Sequence, residues 1–235
     1  MGTGSRDAVS RSFFVAIVYA EVMNFSFPKI YPILDASFIP AANRAEFLRR
    51  LGGELAEAGI TLLEYRNKTG NESELLADAE ILRAALPAGS VKLILDDRAD
   101  LVERIGFDGA HVDSGDMAPA EARKLLGPER IVGTFGGNDA LLPAILQAPV
   151  DYFSIGPVGK TVTKKTTLPP IGIEGVRRLR HQAGPQPRLV GVGGVTLENA
   201  PAVLAAGATL VAIAGAIFRA SDPAGEFRRW KTALA

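Results

Sequence analysis

The sequence predicts one α/β domain, a single (β/α)8 barrel of the TIM type, on three observations. The chain has 235 residues, and about 200–250 is the usual extent of such a domain. After residue 29, short β-rich runs alternate with longer amphipathic stretches, the mark of repeated β-α units around a parallel sheet. Eight such runs can be placed, which favours a closed barrel over an open sheet. They are Ile30–Leu34, Leu62–Arg66, Leu93–Asp96, Gly109–Val112, Ile131–Thr134, Tyr152–Ile155, Leu189–Val192 and Leu210–Ala214.

Helical patterns fill the intervals. Arg44–Ala58 carries Phe47, Leu48, Leu51, Leu55 and Ala58 at helix spacing, and Glu74–Leu86 carries Leu75, Ala79, Leu82 and Leu86. Asn71 and Thr196 stand where helix N-caps are wanted, and Gly59 and Gly207 where left-handed C-caps are wanted. No Pro/Gly/Ser linker divides the chain after residue 30, so residues 30–235 read as one catalytic barrel and 1–29 as a dispensable N-terminal extension.

Composition narrows the function. Lys plus Arg and Asp plus Glu both total 26, so no net field favours nucleic acid, and an anion site has to be a local arrangement. The absence of cysteine excludes disulfides, thiolate metal ligands and a cysteine nucleophile, and it fits a reducing cytoplasm. Residues 13–20 (FFVAIVYA) are apolar but far short of the roughly 20 residues a membrane span needs. A leader cleaved after Ala20, or translation from Met23, are the alternatives for this segment. The expectation is a cytoplasmic enzyme without nucleic-acid or membrane partners, with a homo-oligomer expected on base rates alone.

In a barrel the active site lies at the C-terminal ends of the strands. The second strand ends in Glu64-Tyr65-Arg66-Asn67-Lys68, where period-two alternation turns Glu64, Arg66 and Lys68 to one side. Two cations suit a diphosphate, though a salt-bridged rim would use the same residues. Asp96 and Asp97 end the third strand, and Asp113 and Asp116 follow the fourth. Converging carboxylates suit Mg2+, while Asp97 and Asp116 could equally cap the helices that begin near Arg98 and Pro119. The loop 156–165 (GPVGKTVTKK) offers hydroxyls and lysines to a phosphate. Gly193-Gly194 and Ala214-Gly215 place glycine at two successive late strand ends, where many barrels bind phosphate through backbone N–H groups. His111 and His181 have no companion at metal-ligand spacing and read as packed or capping residues.

The segments YPILD (31–35), EYRNK (64–68), LDDRADL (95–101), DGAHVDSGD (108–116), GPVGKTVTKK (156–165) and GVGGVTLENAPAVLAAGA (191–208) carry a resemblance. Over residues 31–235 the chain resembles the thiamine phosphate synthase family, (β/α)8 barrels that join hydroxymethylpyrimidine diphosphate to thiazole phosphate with Mg2+. The resemblance implies that Arg66, Lys68 and Lys164 are catalytic and hold the diphosphate, and that Asp97 and Asp116 bind Mg2+. It implies that Thr161 and Thr163, with the backbone at Gly194, Ala214 and Gly215, hold the thiazole phosphate, and that Glu64 and Asp96 contact substrate. Glu64 stands where the family usually has Gln, Asp96 where it has Asn, and Phe135 and Gly215 where it has Ser. A thiazole tautomerase-like paralogue, or a protein that binds these phosphates without turnover, is the alternative that these departures leave open.

Overall fold

Alternation along each strand sorts the chain into two cores. The computed structural model describes residues 25–69, 71–113, 115–137, 141–161 and 167–235. The order is β1 (Ile30–Asp35), α1 (Arg44–Glu57), β2 (Leu62–Arg66), α2 (Glu72–Ala85), β3 (Lys92–Asp96), α3 (Val102–Ile105), β4 (Gly109–Val112), α4 (Pro119–Leu126), β5 (Ile131–Gly137), α5 (Leu141–Ile145), β6 (Tyr152–Ile155), α6 (Gly172–Ala183), β7 (Leu189–Val192), α7 (Ala200–Ala205), β8 (Leu210–Ile213), α8 (Gly215–Phe218) and α9 (Pro223–Ala233). The strands pair in parallel, each with the next, and β8 returns to β1, so the barrel is closed.

Outward residues such as Leu34, Leu63, Leu95, Val132, Phe153, Leu189 and Val211 pack against helix residues that include Leu48, Leu55, Leu82, Ala122 and Leu179. Inward residues Tyr31, Leu62, Ile94, Ile131, Tyr152, Val190, Leu210 and Ala212 form a separate core inside the barrel. Phe25 and Phe27 pack against it, Phe27 edge-on to Tyr152 with ring centroids 6.1 Å apart. Inner packing therefore begins five residues before β1.

Local chemistry accounts for the helix starts. Asn71 accepts from the Glu74 N–H at 3.1 Å, so α2 begins at Glu72, two residues before the periodic pattern. Thr196 Oγ1 accepts from the Asn199 N–H at 3.3 Å and the Thr196 N–H donates to Asn199 Oδ1 at 2.9 Å, yet regular helix starts only at Ala200. Neither acidic residue considered as a cap fills that role: α4 has Ala118 at its N-cap, and the turn after Asp97 has Arg98, both without a side-chain bond.

Gly133 on β5 is a packing requirement. It pairs with His111 on one side and Tyr152 on the other, and a Cβ there would lie 2.0 Å from Tyr152 Cζ. Gly133→Ala is therefore expected to destabilise the barrel by about 1–3 kcal/mol or more through overpacking. Gly53→Ala, in α1 with nothing within 4 Å of the added atom, should stabilise by about 0.5–1 kcal/mol. Urea unfolding of both variants checks the pair, and equal shifts would sink the argument.

Candidate active site

The apolar filling of the barrel stops partway up, and a cavity of about 470 Å³ opens above it at the C-terminal ends of the strands. Its floor is polar. Tyr31 donates to Glu64 Oε2 at 2.6 Å, the Tyr31 and Tyr152 hydroxyls are 2.8 Å apart, and Tyr152 Oη is 3.1 Å from His111 Nδ1. His111 Nε2 lies 3.2 Å from Asp113 Oδ1 and 3.5 Å from Ser154 Oγ. The His111 and Tyr152 rings stack at 5.5 Å and 14° across the space that Gly133 leaves.

Burial dominates the electrostatics of this floor. Glu64, 3% exposed, is pushed up to about 7 by burial, with Asp96 and Asp113 adding to the rise and His111 and the Tyr31 bond opposing it. Burial alone would lower His111, but the Asp113 contact and the charges of Glu64 and Asp96 raise it to about 9. Both tyrosines are held well above their ordinary range by burial and by Glu64.

Above the floor, β1 to β4 carry a charged ladder. Arg66 pairs with Asp35 and lies 3.3 Å from Asp96; Lys68 is 3.1 Å from Asp96 and pairs closely with Asp97. Burial raises the Asp96 carboxyl, and Asp97 adds to that. The Asp116 carboxyl is raised by burial and then by Asp97, while its Oδ2 accepts from the Asp113 N–H at 2.8 Å. Asp97 takes φ 66°, a backbone conformation that few non-glycine residues adopt.

The opposite wall is built where β6 and β7 end. Val158 N–H bonds Val192 O and Gly159 N–H bonds Gly193 O, both at 2.9 Å, so the loop after β6 lies directly on the end of β7. A Cβ on Gly194 would sit 2.4 Å from Gly159 C, so the double glycine permits this approach. Lys160, Thr161, Gly194, Ala214, Gly215 and Arg219 line this side.

Of the residues singled out in the sequence, Glu64, Arg66, Asp96, Thr161, Gly194, Ala214 and Gly215 line one cavity. Lys68, Asp97 and Asp116 stand beside it along the rim. Thr163 and Lys164 lie outside the described residues. His111, read as a packed residue, is packed and also lines the cavity. Tyr31, Asp35, Tyr152 and Ser154 went unnoticed, although stepping by two along β1 and β6 would have marked them as inward.

A closed parallel barrel with a polar-floored cavity at its strand C-termini defines the class: a (β/α)8-barrel enzyme. The family described as Thiamine monophosphate synthase matches residues 30–217. The thiamine-phosphate synthase of Koribacter versatilis is 40% identical over 186 residues, 79% of this chain and 87% of that protein. The thiamine-phosphate synthase of Agrobacterium fabrum is 34% identical over 209 residues, 88% of this chain and 93% of the relative. The thiamine phosphate pyrophosphorylase of Pyrococcus furiosus has the same fold, with TM-score 0.72 at 23% identity over 88% of this chain and 95% of its own. The chain belongs to the thiamine monophosphate synthase family.

The raised histidine sets a sign for stability against pH. Its folded value of about 9 exceeds the ordinary 6.5, so its contribution is complete below about 6.5 and is lost as pH rises through 9. Thermal unfolding should show His111→Asn lowering Tm strongly at pH 6 and much less at pH 9.5. An equal loss at both values would contradict the buried-cation assignment.

Proposed function

We propose that this chain is a thiamine-phosphate synthase, a transferase that joins 4-amino-2-methyl-5-hydroxymethylpyrimidine diphosphate to 4-methyl-5-hydroxyethylthiazole phosphate and releases diphosphate. The observation that carries the reading is the convergence, in a member of this family, of Glu64, Arg66, Asp96 and the Gly194 and Ala214-Gly215 backbone on one cavity. No helix among the described residues is long and apolar enough to cross a membrane, which is compatible with the cytoplasmic location we assign.

The roles follow from charge and position. Arg66 and Lys68 hold the pyrimidine diphosphate with Lys164, and Arg66 offers a forked donor set. Thr161, Thr163 and the backbone at Gly194, Ala214 and Gly215 hold the thiazole phosphate across the cavity. Chemistry at the methylene carbon needs no side-chain nucleophile: the thiazole nitrogen attacks as the carbon–oxygen bond to diphosphate breaks. The protein's part is to align the two rings and to stabilise the charge that gathers on the departing diphosphate. Residues 30–235 supply this site, and Phe25 and Phe27 pack beneath it against the inner core.

Mg2+ fits at Asp97 and Asp116. Asp97 Oδ1 is buried and accepts no hydrogen bond among the described residues, and the Asp116 carboxyl lies against Asp97 with its protonated form favoured. A cation there would satisfy the orphaned oxygen and relieve the repulsion between the two carboxyls. No group of three or more His, Cys, Asp and Glu side chains that could hold a metal occurs among the described residues. Mg2+ commonly takes only one or two carboxylates and completes its shell with water and phosphate oxygens. When bound, it would neutralise charge on the leaving diphosphate.

Mass spectrometry of thiamine phosphate formed from both substrates, with and without Mg2+, tests the reading. Product is expected only with metal. Asp97→Ala and Asp116→Ala should each lower turnover by about 10²-fold or more, whereas Thr163→Ala should mainly raise the thiazole phosphate KM. Near-wild-type rates in both aspartate variants would remove the metal assignment. Folded protein that binds thiazole phosphate but makes no product would favour the tautomerase-like reading.

A further inference from the structure

Glu64 is a buried acid to which the roles above give no proton. It lies at the base of the cavity, and the groups facing it are drawn from the surrounding strands. Tyr31 comes from β1, Arg66 from its own strand, Asp96 from β3, His111 and the following Asp113 from the β4 side, and Tyr152 from β6. Tyr31 donates to Oε2 and is itself fixed by Tyr152, so the carboxyl is held in one orientation. Ile33 on β1 pairs with Glu64, and the cavity above it has further apolar lining that includes Phe135, Val192 and Ala212. A cavity with apolar lining and one fixed carboxyl at its base suits a flat ring with one polar edge turned to that carboxyl.

An ionised carboxylate only accepts hydrogen bonds, whereas a carboxylic acid donates from one oxygen and accepts at the other. The edge of a 4-aminopyrimidine offers the complement, a ring nitrogen that accepts beside an amino group that donates. Ionised Glu64 would leave that nitrogen facing an acceptor away from water, a mismatch that weakens binding.

We propose that Glu64 recognises the aminopyrimidine as a neutral carboxylic acid, Oε1 donating to a ring nitrogen and Oε2 accepting from the adjacent amino group, so that ring recognition is linked to one proton. The acceptor capacity suffices, because Oε2 has a second lone pair beyond the one that Tyr31 uses. Burial already favours the protonated form near neutrality, and Asp96 and Asp113 reinforce it. Arg66 directly above holds the diphosphate without supplying a ring contact. This inference rests on the synthase reading for the identity of the ring.

Isothermal titration calorimetry of the full chain with the aminopyrimidine diphosphate and Mg2+, in two buffers of different ionisation heat, measures protons taken up on binding. Wild type and Glu64→Gln are compared from pH 6 to 9, so that titration of the diphosphate itself cancels. Wild type at pH 8 should take up close to one proton more than Glu64→Gln, whose amide keeps donor and acceptor without titrating. Above pH 7 the wild-type affinity should fall relative to the variant by up to about tenfold per pH unit. Equal proton uptake and equal pH slopes overturn the proposal while leaving the synthase reading intact. If the variant does not fold, wild-type binding of the unphosphorylated aminopyrimidine alcohol decides: uptake near one proton at pH 8 supports the proposal and none overturns it. No binding of either pyrimidine by wild type, with no thiamine phosphate formed, overturns both readings.

Discussion

The stacking of His111 on Tyr152 is the contact on which the cavity depends. The two residues sit on β4 and β6, separated by the whole width of β5, and neighbouring strands are roughly 4.8 Å apart. Their rings meet only because Gly133, which pairs with both, contributes no side chain. Tyr152 thereby caps the apolar interior from above and brings its hydroxyl to Tyr31 and His111. Below this level the barrel is filled by aliphatic residues and closed by Phe27; above it the interior is open. A side chain at 133 would displace Tyr152 from this position, so the cavity's depth is set by an absent Cβ.

The opposite end of the barrel is tied by a repeated device. Arg123 on α4 donates to Gly127 O and Arg130 O and pairs with Asp151 at 2.6 Å, while Asp151 accepts from the Val132 N–H on β5. Arg83 on α2 does the same with Leu86 O, Val91 O and Asp108, which accepts from the Leu93 N–H. Arg180 on α6 reaches Gly184 O, Pro187 O and Thr209, which accepts from the Leu189 N–H. Each guanidinium satisfies carbonyls that a helix end leaves orphaned and fastens two strands at their start. Rigidity is thus placed at the N-terminal end of the strands, and the loops at the other end are left to carry chemistry.

The fold was legible because its signals are local. Strand runs such as Tyr152–Ile155 and Leu189–Val192 fall where the hydrophobic pattern puts them, and Asn71 caps as its residue type predicts. The charged ladder was legible for the same reason, since Arg66 and Lys68 share one side by simple alternation, with Glu64 beneath them. The floor was not, because it is made by side chains remote in sequence: Tyr31 and Tyr152 are 121 residues apart. A lone histidine in an apolar strand reads as packing, and nothing near His111 in the chain announces Glu64. The bulge between Phe135 and Gly137, where β5 pairs with β6, had a local mark in Gly136-Gly137, the second at φ 63°, but its register did not.

Charge across the cavity is uneven, and the unevenness bears on the two acids found where the family usually has amides. Glu64, Asp35, Asp96, Asp97, Asp113 and Asp116 cluster at the ends of β1 to β4, faced by Arg66, Lys68 and His111, while Lys160 and Arg219 stand on the far side. An added acid at Glu64 or Asp96 would ordinarily repel a diphosphate held by Arg66 and Lys68. Each instead lies within the field of His111, whose raised proton affinity is due in part to both. Burial shifts Glu64 and Asp96 toward their neutral forms. Charging either acid therefore strengthens the case for a proton on His111, and the extra negative charge presented to the ligand is smaller than a count of acidic residues suggests.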